Sequence, residues 1–431
     1  MYKKGGKTIS KKNEGFNIFN FPLDISKKIS EKIYIWDETL RDGEQSPGVF
    51  FSKKEKAAIV ERLIDAGVSI IDLGFPGVSK EEDKAIEYVL NQGFASDMGV
   101  TVRATKNDID KALQLGVERI HAFIATSSIH MKYKLMKTPD EVKKSVEESI
   151  LYAKDHGITV DFISEDTMRS DLKFVSDLFN MSVECGANVL MITDTVGCAT
   201  PSSIKYITKT LIESVNHDKF GIHCHNDLGL ASANTISAIE EGINYPTLTV
   251  NGIGERSGNA SFAEVIMSLE SIYNIDTGIS LGKITQLSNL VESKSGIFLP
   301  AHAPIVGFNS FRHESGIHVD GLLKKALTYE PINPKILNRK REYVLGKHSG
   351  RNLIRSLLIE KNISFSEDHL EKILWKITSE KEKTANIKLI KSSRLKNEIQ
   401  EFNESILGFS EDKFWRIVNS VIGGYNGQNF G

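Results

Sequence analysis

Cysteine is scarce in this chain. Cys185, Cys198 and Cys224 are the only three in 431 residues. Three thiols do not make a disulfide framework at this length, so they read as reduced cysteines of a cytoplasmic protein. No apolar run approaches the roughly 20 residues of a membrane-spanning helix. Net charge is lacking too. The 54 basic and 56 acidic residues leave −2, and nothing global draws the chain to nucleic acid or a membrane surface. The first 30 residues have neither the apolar h-region of a secretory signal nor the arginines of a mitochondrial transit peptide. They hold seven lysines against Glu14 and Asp24, and read as a mobile, solvated extension. No repeat of fixed period is visible.

What is present is a regular alternation. Hydrophobic residues make up 40% and charged residues 26%, the balance of a globular protein with room for one large domain and a smaller second one. Short β-branched runs fall at 33–37, 69–75, 99–104, 119–125, 158–164, 187–193, 220–225 and 245–251. Amphipathic stretches of helical period lie between them, several closed by a glycine: Gly67, Gly116, Gly157, Gly186 and Gly242. Eight strands, each followed by a helix, is the count that closes a parallel barrel. An open doubly wound sheet is the competing architecture. It would usually carry a Gly-rich phosphate turn after the first strand, where this chain has the charged Arg41-Asp42-Gly43-Glu44-Gln45. The expectation is an α/β (β/α)₈ barrel over residues 31–285, preceded by the extension 1–30. A smaller, mainly helical region follows over 286–431.

In such barrels chemistry sits at the C-terminal strand ends. Polar residues gather at those ends on five strands: Asp37, Arg41, Asp42, Glu44 and Gln45; Ser164, Glu165 and Asp166; Asp194 and Thr195; His223, His225, Asn226 and Asp227; Asn251, Glu255, Arg256 and Asn259. The pair His223 and His225 is the sharpest signal. Residues i and i+2 of a strand share a face, so both imidazoles can reach one cation while Cys224 points away. Two histidines, a carboxylate and open positions suit a divalent Lewis acid: zinc, manganese or magnesium. Asp42 is the natural third ligand and Asp37 its rival. Gly252, Gly254 and Gly258 either cradle part of a cofactor or allow a tight turn.

These stretches carry a resemblance. Asp37-Glu-Thr-Leu-Arg-Asp-Gly-Glu-Gln45 looks like the signature of the metal-dependent barrels that condense or cleave acyl-CoA thioesters. His223-Cys-His-Asn-Asp-Leu-Gly-Leu230 and Asn251-Gly-Ile-Gly-Glu-Arg-Ser-Gly-Asn259 resemble its second and third motifs. His313-Glu-Ser-Gly-Ile-His-Val-Asp-Gly-Leu322 and Val344-Leu-Gly-Lys-His-Ser-Gly350 resemble the 2-isopropylmalate and homocitrate synthases specifically. The resemblance implies condensation of acetyl-CoA with a 2-oxo acid and hydrolysis of the thioester. It implies Asp42, His223 and His225 as metal ligands with Asn259 nearby, and Arg41 steadying the oxyanion. Gln45, His121 and Thr195 would touch the oxo acid, Glu165 would lie near the acetyl methyl group, and Gly252, Gly254 and Asn259 would lie toward the coenzyme. His318 and Tyr329 would come from the partner subunit of a homodimer with shared active sites. Alternatives are an acyl-CoA lyase on the same barrel and a catalytically silent metal-binding regulator.

The oxo acid turns on the far end of the pocket. Lysine-pathway homocitrate synthases carry a strand-5 arginine that pairs the second carboxylate of 2-oxoglutarate, and the matching residue here is Asp161. A buried acid there would repel a dicarboxylate. The expectation is therefore 2-oxoisovalerate, giving 2-isopropylmalate on the route to leucine, with 2-oxoglutarate as the alternative and Arg103 as the residue that could favour it. Met191 departs from the asparagine common in 2-isopropylmalate synthases. Asp194-Thr-Val-Gly-Cys-Ala-Thr-Pro201 is equally at home in homocitrate synthases. The chain leaves no room after the second domain for the usual leucine-sensing domain, so feedback through one is not expected.

Overall fold

A computed structural model describes residues 29–404, 408 and 411–422, apart from the side chains of residues 385, 386, 389, 390 and 422. The Lys-rich extension therefore lies almost wholly outside the described residues. Eight parallel strands close a barrel in sequence order: β1 (Trp36–Asp37), β2 (Ile70–Asp72), β3 (Asp97–Arg103), β4 (Arg119–Ala125), β5 (Thr159–Glu165), β6 (Leu190–Asp194), β7 (Phe220–Cys224) and β8 (Tyr245–Leu248). Trp36 is in register with both Ile70 and Thr247, so the short β1 closes the ring. The open-sheet alternative is excluded.

The helices form where the sequence supplies caps and apolar faces. Helix α1 (Lys53–Ala66) starts on a Ser52/Glu55 capping box and ends at Gly67, whose φ is 95°. A Cβ at Gly67 would stand 2.4 Å from the carbonyl oxygen of Gly278, so glycine is required there. Helices α2 (Lys80–Leu90), α3 (Lys106–Gln114), α4 (Pro139–Asp155), α5 (Leu172–Glu184), α6 (Pro201–Ser214), α7 (Ala231–Ile239) and α8 (Phe262–Ser271) complete the outer ring. Helix α9 (Ile284–Ser295) packs on α1, and the first compact unit runs on to Ser310 and takes back residues 330–340. The expected boundary at 285 falls short of this, because the apolar face of α9 (Leu287, Val291) is buried.

Strand alternation decides what fills the barrel. Trp36, Ile70, Ile163, Val189, Met191 and Tyr245 form a buried interior cluster, with Tyr34 and Phe123 packed against it. Each fully buried large side chain contributes about 1.5–3 kcal/mol of transfer free energy. The barrel is thus a packed core closed below its C-terminal mouth.

The second unit contains β9 (Arg312–His313) paired with β10 (Glu342–Tyr343), and helices α10 (Gly316–Lys324), α11 (Arg351–Glu360), α12 (Glu367–Phe402) and α13 (Glu411–Ile422). Helix α12 has 36 residues, starts on a Ser366 cap and buries Leu370 near its start. Among the described residues no helix is long and apolar enough to cross a membrane.

Candidate active site

A cavity of about 290 Å³ opens at the C-terminal end of the strands. Glu38, Arg41, Asp42 and Gln45 follow β1; Phe75 follows β2; Thr101 and Phe123 sit on β3 and β4. Ile163, Glu165, Met191, Thr193 and Thr195 line it from β5 and β6. His223, His225, Glu255 and Arg256 complete it from β7 and the loop after β8, and Lys134 reaches in from the loop after β4.

At its base the structure brings three donor atoms together. His223 Nε2 lies 3.2 Å from His225 Nε2 and 3.2 Å from Asp42 Oδ2, and His225 Nε2 lies 3.4 Å from the same oxygen. All three side chains are buried, and they form the group of acid and histidine ligands able to hold a metal among the described residues. Bonds of about 2 Å to one cation give such spacings between donors. The surroundings fix the lone pairs. Thr247 Oγ1 donates to the Ile222 carbonyl at 3.1 Å, so it accepts from His223 Nδ1 at 2.9 Å. That bond orients the ring so that His223 Nε2 faces Asp42. Burial and the neighbouring His223 push the His225 imidazole down to about 4, which leaves it neutral. Burial alone would raise the Asp42 carboxyl, but Arg41 and the two imidazoles hold it well below the carboxylate range. Its Oδ1 accepts from the Glu255 backbone N–H at 3.1 Å, and its Oδ2 is buried without a hydrogen-bond partner. An ionised carboxylate and two imidazole nitrogens that converge on one point fit a divalent cation.

Asp37, the rival ligand, is excluded by strand alternation. It points out of the barrel, where Thr39 donates to it through N–H and hydroxyl, both at 2.9 Å. Burial raises its carboxyl to about 7. Arg41 stands over the site, hydrogen-bonded to Glu38 and 3.7 Å from both Asp42 and Asp72. Glu165 Oε1 accepts from Lys134 Nζ at 2.5 Å, while its Oε2 is buried and unpartnered. Thr195 Oγ1 accepts from the Asp166 N–H at 2.9 Å.

Several expected residues lie elsewhere. His121 does not line the cavity. It sits one layer deeper, its ring tilted against Trp36 with centroids 4.1 Å apart and its Nδ1 3.0 Å from Asp161 Oδ2. Asp161 is not at the far end of a substrate pocket either. It is fully buried near the N-terminal end of the barrel and accepts from Arg119 Nε at 2.7 Å and Nη2 at 3.1 Å. Burial would raise its carboxyl, but His121 and Arg119 lower it. Asp161, paired with Arg119 and His121, therefore does not set the charge of the substrate pocket. Arg103 is bound bidentately by Asp108, at 2.6 and 2.9 Å, away from the cavity.

Gly252, Gly254 and Asn259 close a loop beside the site. The Asn259 N–H donates to the Gly252 carbonyl at 3.0 Å, and a Cβ on Gly254 would meet Asn259 Nδ2 at 2.4 Å. These contacts account for the glycines without a coenzyme. Asn259 Oδ1 remains buried and unpartnered, and the Asn259 backbone bridges to His225. His318 and Tyr329 belong to the second unit, where both are exposed and their rings stand 4.3 Å apart.

Glu38 and Lys134 were missed in the sequence. Glu38 could have been found, because it lies two residues past the interior Trp36 and so faces inward. Lys134 comes from a single wide helical turn, Met131–Leu135, whose side-chain direction has no sequence signal.

Comparison with known proteins agrees with this geometry. A family model described as HMGL-like matches residues 32–291, and one described as homocitrate synthase post-HMGL domain-like matches residues 305–385. The chain is 41% identical to a probable 2-isopropylmalate synthase of Ignicoccus hospitalis, over 92% of this chain and 94% of the relative. It is 39% identical to homocitrate synthase AksA of Methanothermobacter thermautotrophicus, over 94% of this chain and 97% of the relative. It is 42% identical to (R)-citramalate synthase CimA of Methanocaldococcus jannaschii, over 80% of this chain and 70% of the relative. These near-equal identities do not separate one acid from another. A closed eight-stranded barrel with a polar site at its C-terminal mouth, followed by the second matched domain, makes this chain a member of the HMGL-like family, in its branch of condensing synthases.

Proposed function

We propose that the protein condenses acetyl-CoA with 2-oxoisovalerate and that water then hydrolyses the resulting thioester, giving 2-isopropylmalate and free coenzyme A. The observation that carries the reaction class is the convergence of Asp42, His223 and His225 below Arg41 in one cavity that also holds Glu165. Asp42 and the two imidazoles would hold a divalent cation, which would supply Lewis acidity toward the oxo acid. The residues of the chain do the rest. Arg41 places a fixed guanidinium, braced by Glu38, where negative charge develops on the ketone oxygen. Glu165 offers a buried, unpartnered carboxylate oxygen to take a proton from the acetyl methyl group. Thr195 and Gln45 line the cavity and orient the acid. His318 and Tyr329 enter from a partner subunit, so the working unit is a homodimer.

The choice of a branched, monocarboxylic acid rests on the lining. Phe75, Phe123, Ile163 and Met191 form apolar walls. The lining cations each face a carboxylate: Arg41 with Glu38, Lys134 with Glu165, Arg256 with Asp227. A second substrate carboxylate would find no free partner among the described lining residues, and an unpaired buried charge costs several kcal/mol. One observation supports 2-oxoglutarate as a second reading. Lys134 is half exposed at the cavity edge and would pair that carboxylate on leaving Glu165. The test is kcat/KM for 2-oxoisovalerate, 2-oxoglutarate and pyruvate under one metal condition. The first should exceed the others, and a lead for either competitor rejects the assignment.

A further inference from the structure

Lys56 has no part in the chemistry above, yet it is fully buried in α1, where an unpaired lysine is costly. Its ammonium donates to Glu44 Oε2 at 2.7 Å, to Glu82 at 2.7 and 2.8 Å, to the Leu73 carbonyl at 3.1 Å and to the Leu40 carbonyl at 3.3 Å. Two of these acceptors, Leu40 and Glu44, flank Arg41 and Asp42 in the loop after β1. The others hold the turn after β2. Leu73 begins it, and Glu82 Oε1 accepts from the Phe75 N–H at 3.2 Å. Gly74 makes the approach possible. At φ 134° it lacks the Cβ that would stand 1.8 Å from Glu82 Oε1. Glu44 in turn accepts from the Phe51 N–H at 2.6 Å, which fixes the exit of the same loop.

We infer that Lys56 is a positioning residue with two arms. Through Glu44 it sets the loop that carries Arg41 and Asp42, and through Glu82 it sets the Phe75 wall against the oxo acid. The inference rests on the metal-site reading, and the two arms affect different constants. The test uses the full-length protein, Mn²⁺ as the probe, and the oxo acid that the wild type turns over fastest. Glu44→Gln should weaken Mn²⁺ binding about tenfold, as loss of groups that orient metal ligands does, and leave the oxo-acid KM within about twofold. Glu82→Gln should raise that KM about fivefold with Mn²⁺ affinity within about twofold. Lys56→Met should show both effects if it folds; the two glutamine variants decide the matter if it does not. Wild-type Mn²⁺ affinity and KM in both glutamine variants, whatever their thermal stability, overturn the inference. Mn²⁺ binding to the wild type that survives His225→Ala overturns the metal-site reading and the inference with it.

Discussion

Replacing Asp161 with asparagine separates stability from specificity. The carboxylate collects five donors on two oxygens: Arg119 through Nε and Nη2, His121 through Nδ1, and Asn188 Nδ2 and the Val189 N–H, both at 3.2 Å. Asparagine turns one acceptor into a donor facing two of these groups. It also leaves Arg119, whose side chain is 8% exposed, with only Asp97 at the barrel floor. Breaking a buried ion pair from one side costs about 3–5 kcal/mol. For a domain of this size that lowers Tm by about 6–12 °C. The sign with pH follows from the lowered carboxyl. Its stabilisation is complete above the unfolded pKa near 4 and is lost as pH falls toward the folded value, so the deficit of the variant is full at pH 7. The assay pairs thermal unfolding at pH 7 with kcat/KM for 2-oxoisovalerate and 2-oxoglutarate. The expected outcome is a large Tm loss with an unchanged ratio of the two constants. An unchanged Tm with a ratio shifted more than about tenfold would show that Asp161 faces substrate, and would refute the placement.

Asp37→Asn should act in the opposite sense. With the Asp37 carboxyl raised to about 7 by burial, the folded chain keeps a proton that the unfolded chain releases above pH 4; stability falls as pH rises to 7, by at most about 4 kcal/mol. The Tm of the asparagine variant relative to wild type should therefore rise from pH 4 to pH 8, and a constant difference contradicts the buried, protonated acid. Lys134→Met removes the ammonium beside Glu165 Oε1 that could take a distal carboxylate at that edge. Activity with 2-oxoglutarate should fall more than with 2-oxoisovalerate, and equal losses would assign Lys134 to Glu165 alone. His318→Ala and Arg41→Ala should each be nearly inactive, and mixing them after subunit exchange should restore part of the activity. Exchange without recovery rules out sites shared across a dimer.

The fold was legible because eight apolar runs, their helical spacers and the glycine stops all obey local rules that tertiary packing did not override. Asp42, His223 and His225 were legible because strand ends and the i, i+2 rule suffice to bring them together. Depth along the barrel axis was not. Residues 121 and 123 both face inward, as do 161, 163 and 165, and alternation cannot say which layer each occupies. The strand register sets that, through pairs such as His121 with Asp161 and Ala125 with Glu165. Hence Phe123 and Glu165 reach the cavity, while His121 and Asp161 form its foundation. The continuation of the first unit past residue 285 carries no alternation signal, because α9 follows α8 without a strand between them.

The measurement closest to the central claim is release of free coenzyme A from acetyl-CoA, read with a thiol reagent. Purified protein supplied with Mn²⁺ or Zn²⁺ should release it only when a 2-oxo acid is added, and neither a chelated sample nor His225→Ala should do so. Release that ignores both the oxo acid and the chelator would contradict a metal-dependent condensation at Asp42, His223 and His225, as would no release with any of 2-oxoisovalerate, 2-oxoglutarate or pyruvate.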